Sequence, residues 1–243
     1  MRYKQFNKER FTMKYDNLNI IAFSGFSNSG KTTAANVIDA HLKENYIDGD
    51  IFSPTNYVSN TACTIFGYPF MNVIKMVDEK RHVDNEFFNS EKMFWQKHLK
   101  MRTDYRSIMK KVGEGMKELF NDSIWAIITE HRIISKFYGS EYYAIIPEIR
   151  YTSEMNMLKR FKNNGANVKH YIIFRDSSLP DWAAYGLSPT NYTHRSIIKK
   201  DFKGNKKNGE YEWCSDKNYK FTGYISNDGT IEEFKNNLIN LVF

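Results

Sequence analysis

Apolar runs that read as buried strands alternate with segments of helical period along this chain. Leu18–Ser24 is apolar and β-prone, the pattern of a strand covered on both faces. Thr33–Leu42 follows with Ala34, Val37, Ile38 and Leu42 on one helical face. Asp48–Pro54 reads as a turn, a short strand and a stop. Thr55–Phe66 places Val58, Ala62, Ile65 and Phe66 at helical spacing until Gly67-Tyr68-Pro69 breaks it. Residues 71–103 are charged and aromatic, with Phe87, Phe88, Phe94 and Trp95 but no strand pattern, and are expected to form a helical insert. A helix begins at Thr103/Asp104 with an apolar stripe of Tyr105, Ile108, Met109, Val112, Met116 and Leu119. Another begins near Asp122-Ser123 and runs through Trp125, Ile128 and Ile133.

Glu141–Pro147 is the second clear buried strand. A helix capped by Ser153 then runs to Asn164-Gly165, and Val168–Phe174 is the third strand. Asp176–Lys220 is polar and irregular, too long for an ordinary loop in a compact domain, and has the character of a lid. Phe221–Ser226 is the last strand. Asn227-Asp228-Gly229 turns the chain, and Thr230 caps a final helix through Ile231, Phe234, Leu238 and Leu241. Strands alternating with helices predict an α/β doubly wound parallel sheet with right-handed crossovers. We expect residues 1–16 to be an extension and 17–243 a single domain, interrupted by the insert at 71–103 and the lid-like segment at 176–220.

One stretch carries specific chemistry. Gly25-Phe26-Ser27-Asn28-Ser29-Gly30-Lys31-Thr32 fits G-x-x-x-x-G-K-[ST] at every fixed position, between a strand and a helix as the motif requires. Gly25 and Gly30 permit a backbone that turns successive N–H groups, those of Asn28 and Ser29 included, around a polyphosphate. The helix N-terminus, with Thr33 in its first turn, adds partial positive charge. Lys31 suits the β- and γ-phosphates of ATP, and the Thr32 hydroxyl suits Mg²⁺.

Ligands of a doubly wound sheet sit beyond the carboxyl ends of its strands. Glu148-Ile149-Arg150 and Arg175 both follow apolar strands and are therefore expected in the cleft with the loop. Glu148 suits a water-bridged Mg²⁺ or a substrate hydroxyl. Arg150 and Arg175 suit phosphate oxygens, and phosphoryl transfer needs mainly positioning and charge neutralisation. Lys31, Glu148, Arg150 and Arg175 are accordingly the catalytic candidates.

Composition adds limits. The 243 residues suffice for a full core, and no apolar run is long enough to span a membrane. Met1–Lys14 is basic but lacks the apolar stretch of a secretory signal. Cys63 and Cys214 stand far apart without a disulfide or zinc pattern, which points to a reducing cytoplasm. The net charge of +7 comes with lysines scattered along the chain rather than gathered in one stripe. A dedicated nucleic-acid surface is therefore not expected.

Beyond the loop, the chain resembles the deoxynucleoside monophosphate kinases of large tailed bacteriophages. Tyr142–Arg150 with Glu154-Met155 resembles that family's strand, D-x-R element and following glutamate. Arg106 with Met109 and Gly113, then Trp125, resembles its arginine-led helix and the tryptophan beyond. Thr193-His194 resembles its lid pair, and Ile225–Glu233 its final strand, N-D-G turn and helix start. The resemblance implies the P-loop NTPase fold of the nucleoside-monophosphate kinases, with a five-stranded parallel core, a monophosphate-binding insert and a lid. It implies transfer of the γ-phosphate of ATP to a deoxynucleoside monophosphate, in the host cytoplasm if the chain is phage-encoded. It further implies that Ser53, Arg106, Lys110, Trp125, Arg150, Glu154 and His194 meet the acceptor, that Arg175 and the lid close over the phosphates, and that Asn227 lies near the ATP base. A second copy of the chain, joined through the insert, is a candidate partner. The chain departs from the family at Glu148, where an aspartate is usual, at Asn56 for a lysine and at Ile197 for a glutamate, and its lid is longer. Two other readings stay open: a P-loop kinase of nucleosides or another small metabolite, and a nucleic-acid-associated P-loop ATPase.

Overall fold

In the computed structural model of the chain, the described residues are 14–25, 29–67, 71, 97, 104–175 and 221–243. They form five strands, β1 (Leu18–Ser24), β2 (Gly49–Ile51), β3 (Tyr142–Ile146), β4 (Asn167–Phe174) and β5 (Gly223–Ser226). The helices are α1 (Lys31–Glu44), α2 (Pro54–Phe66), α3 (Tyr105–Leu119), α4 (Ile124–Lys136), α5 (Thr152–Asn163) and α6 (Ile231–Val242). The chain packs as two compact units, one drawn from Met1–Ile51 and Lys136–Phe243, the other from Phe52–Ser135.

The first unit holds the sheet, ordered β2-β3-β1-β4-β5 and parallel throughout. Six of the seven β1 residues are buried, as expected of a central parallel strand with helices on both faces. Ile21 and Phe23 of β1, with Tyr171 and Ile173 of β4, pack under Ala34, Ile38 and Leu42 of α1 and Phe234, Leu238 and Val242 of α6. The pleat turns Ala22, Ser24 and His170 to the opposite face. α5 packs on β4 and buries Met155, Leu158 and Phe161. Because β3 flanks β1 on one side and β4 on the other, the chain order reverses at the carboxyl end of β1. That reversal opens the crevice in which such sheets bind ligands.

In the second unit Ala62 and Cys63 of α2 pack with Ile108 and Val112 of α3 and with Met71. α4 contributes its buried Trp125, Ala126, Thr129 and Ile133.

The elements follow the apolar pattern closely, with corrections at helix ends. Ile65 and Leu119 were expected in apolar stripes but are 54% and 78% exposed, and Ile231 and Leu241 are also exposed. Each lies in a terminal turn, which reaches past the surface its helix covers. The start of α5 also differs. Its N-cap is Tyr151, not Ser153, and the carboxylate of Glu154 accepts the free amides there. A glutamate at the third helical position can reach back in this way, which a serine already inside the helix cannot. Most of the 71–103 insert and all of the 176–220 segment lie outside the described residues. Among the described residues no helix is long and apolar enough to cross a membrane.

Candidate active site

The phosphate-loop motif joins β1 to α1, and its two glycines hold backbone that other residues rarely adopt. Gly25 has φ of 146° and Gly30 a φ of 105°, the latter as N-cap of α1. A Cβ at Gly25 would stand 2.1 Å from the Ile173 carbonyl oxygen, and one at Gly30 would stand 2.3 Å from the Asn227 amide nitrogen. The first contact is with backbone and is closed to any larger residue, whereas the second would displace the Asn227 side chain from the loop. Asn227 secures the loop from the carboxyl end of β5: its side-chain amide donates to the Ser29 carbonyl at 2.9 Å, and its backbone N–H donates to Phe174 at 2.9 Å. Ser29 is fully buried, and its hydroxyl has no hydrogen-bond partner among the described residues.

Lys31 is also buried. Its ammonium donates to the Gly25 carbonyl at 3.0 Å and lies 4.0 Å from Glu148 Oε1. Glu148 is paired as well with the Arg150 guanidinium. Burial holds the Lys31 pKa below its ordinary value; the Glu148 charge opposes that shift and Arg150 reinforces it. Thr32 and Thr33 are exposed in the first turn of α1. The loop lysine and the two charged residues after β3 thus meet in one cluster at the strand ends, as the strand-end rule predicts.

Buried groups hold that turn. The Ile149 N–H donates to Phe23 O at 2.9 Å, and Ser24 Oγ donates to Ile149 O at 2.7 Å. Ser24 Oγ also lies 2.9 Å from His170 Nε2. Glu154 Oε2 accepts the Arg150 and Tyr151 amides at 2.6 and 3.0 Å. No pattern in the sequence marks Ser24 or His170 as part of the site; the glutamate three residues after Tyr151 is a readable capping signal.

The other expected site residues are distributed as follows. Arg175 is exposed, one residue beyond β4. Ser53 is the N-cap of α2, accepting the Asn56 amide. Lys110 is exposed and pairs with Glu114 at 3.8 Å. Trp125 is buried in the second unit, its indole N–H donating to Gly113 O at 3.1 Å. Asn28 and His194, and the side chain of Arg106, fall outside the described residues.

Two buried titratable groups make stability depend on pH in opposite senses. Burial pushes Glu154 up to about 7 from 4.5, against the two amides it accepts. Burial pushes His170 down to about 3 from 6.5. The raised Glu154 value favours the folded state at low pH and loses that benefit as pH rises from 4.5 through about 7. The depressed His170 value costs stability as pH falls below 6.5. Between 4.5 and 6.5 the folded chain takes up a proton on Glu154 where the unfolded chain takes one up on His170, so the two slopes cancel. Glu154→Gln removes one side of that balance. Relative to the parent, its unfolding free energy should fall by about 1.4 kcal/mol per pH unit of acidification across this window, measured by urea unfolding at stepped pH.

These residues fit a nucleoside triphosphate: two positive-φ glycines, a buried hydroxyl with no partner among the described residues, a helix N-terminus and a buried lysine. Among the described residues no three His, Cys, Asp or Glu side chains cluster as a metal site. The residues of the site that could hold Mg²⁺, an ion commonly bound through one or two carboxylates with waters and phosphate oxygens, are Thr32 and Glu148.

No protein-family model and no curated protein matches the chain. Solved structures do. The APS kinase CysC of Mycobacterium tuberculosis, in complex with AMPPNP and APS, aligns at 11% identity and a TM-score of 0.43, covering 93% of this chain and 98% of that one. APE1195 aligns at 15% identity and a TM-score of 0.39, covering 95% and 97%. A protein of Borrelia burgdorferi B31 described as a plasmid partition protein, bound to AMPPNP, aligns at 12% identity and a TM-score of 0.34, covering 93% and 97%. Likenesses this distant say nothing of what this chain acts on. The parallel sheet, its order and the glycine loop between β1 and α1 give the chain the α/β P-loop NTPase fold.

Proposed function

We propose that this protein is an ATP-dependent deoxynucleoside monophosphate kinase, moving the γ-phosphate of ATP to a deoxynucleoside monophosphate to give ADP and the diphosphate. The observation that carries the reading is the meeting of Lys31, Glu148 and Arg150 at the loop. A site that only bound nucleotide would need the loop alone. A second cationic side chain, tied to a carboxylate on the neighbouring strand end, suits an acceptor phosphate facing the donor. The deoxynucleotide as acceptor rests on the sequence resemblance.

In this reading the loop amides and Lys31 hold the β- and γ-phosphates. Thr32, with Glu148 directly or through water, holds Mg²⁺, which when bound neutralises charge on the phosphate oxygens. Arg150 leaves its pairing with Glu148 to meet the acceptor phosphate and the equatorial oxygens in transfer. Electrostatic positioning of this kind supplies nearly all of the catalysis in phosphoryl transfer. Arg175, at the strand end beside the loop, would add positive charge to the phosphates.

The test is a coupled ADP-release assay with Mg²⁺-ATP and each of the four common deoxynucleoside monophosphates, plus 5-hydroxymethyl-dCMP. Turnover with at least one monophosphate is expected. Turnover with nucleosides only would move the acceptor. ATP hydrolysis stimulated by DNA or RNA, and lost with salt, would replace the kinase by a nucleic-acid-associated ATPase.

A further inference from the structure

We infer that Ser24 and His170 are positioning residues, forming a buried relay that sets the Glu148–Arg150 turn against the phosphate loop. The inference rests on the proposed kinase reading for what the turn does, but not for the relay itself.

Ser24 is the last residue of β1, immediately before the loop, and His170 lies on the neighbouring β4. Both side chains are buried on the sheet face away from α1 and α6, at 0% and 2% exposure. Buried polar groups in such a place cost stability unless each is hydrogen-bonded. Here the bonds form a directed chain. The single hydroxyl hydrogen of Ser24 is committed to Ile149 O at 2.7 Å, so the 2.9 Å contact with His170 must be donated by Nε2–H. His170 therefore carries a proton on Nε2, with its backbone fixed by Thr222 and its ring edge-on to Phe221. The relay ends on Ile149, beyond the last ladder position of β3, where the β1 backbone takes its N–H and the Ser24 hydroxyl serves its carbonyl. Ile149 is held at both ends of its peptide, by Phe23 O on its N–H and by Ser24 on its carbonyl. Of the residues on either side of it, Glu148 meets Lys31 and Arg150 pairs with Glu148. An aliphatic pair at 24 and 170 would fill the same space and leave the Ile149 carbonyl unsatisfied, free to rotate the turn.

The experiment compares Ser24→Ala, Ser24→Thr, His170→Phe and His170→Gln in the full chain. The first and third break the relay; the second and fourth retain a hydroxyl or an N–H donor. Hydrogen exchange by mass spectrometry should show the 147–151 peptide exchanging on the order of tenfold faster in the two breaking variants, with α1 unchanged, as expected of a local opening. The retaining variants should restore protection. In the ADP-release assay the breaking variants should lose kcat by about 10- to 100-fold, the scale of ångström misplacement in a reacting site. ATP affinity should hold, and Arg150→Ala should cost much less in the His170→Phe background than in the parent. Unchanged exchange at 147–151, or losses additive with Arg150→Ala, would overturn the relay. Should the parent turn over no acceptor, the kinase reading falls and the exchange result alone decides the relay. His170→Phe also covers the case in which Ser24→Ala does not fold.

Discussion

Lys31→Ala is expected to abolish most phosphoryl transfer while leaving the fold intact. The loss should be at least on the order of 10²–10³ in kcat, the measured scale for removing one preorganised charge-stabilising donor. Lys31 sits buried between the Gly25 carbonyl and Glu148. Desolvation already holds its pKa down, so its burial opposes stability rather than adding to it. Glu148 keeps Arg150 as a partner when the lysine is gone. The melting temperature should therefore stay level or rise, whereas a structural lysine would lower it. Melting curves and steady-state rates on the same preparation separate these outcomes.

Gly25→Ala is expected to act in the opposite way, on fold and function together. Its φ of 146° lies where a side chain is strained, and the new Cβ would stand 2.1 Å from a backbone oxygen of β4. That oxygen belongs to the buried Ile173 on the neighbouring strand and cannot swing aside as a side chain would. Backbone strain and overpacking each cost about 1–3 kcal/mol, so a total of about 3 kcal/mol or more is expected. For a chain of this size that lowers Tm by roughly 6–12 °C. The displaced loop should lose ATP binding as well, checked by calorimetry below the lowered Tm.

The sheet was largely legible in the sequence because parallel strands covered on both faces are continuous apolar runs. Leu18–Ser24 is a strand at the expected residues. The loop was legible because phosphate cradling demands glycines at set spacing. Glu148 and Arg150 were found by rule: whatever follows an apolar strand lies at the ligand edge. What escaped depends on register. Ser24 and His170 meet only because β4 is offset along β1, 146 residues away in the chain. Asn227 reaches Ser29 across 198 residues. Such pairs have no local signature. Ser153 was preferred as a cap over the glutamate beside it because capping preferences rank short hydroxyl residues first, whereas here the buried turn favours a longer side chain that reaches two amides. Ile65 and Leu119 continue the apolar spacing of their helices yet are exposed, because periodicity does not show where the covering surface ends.

The central claim is that the loop around Lys31 is the donor half of a site whose acceptor half begins at Arg150. It is tested most directly by following ATP labelled in its γ-phosphate, with Mg²⁺ and the deoxynucleoside monophosphates present, and separating the products. The account expects the label in a deoxynucleoside diphosphate, with Arg150→Ala diverting it toward inorganic phosphate. Label released only as inorganic phosphate by the parent protein, whatever acceptor is supplied, would contradict it.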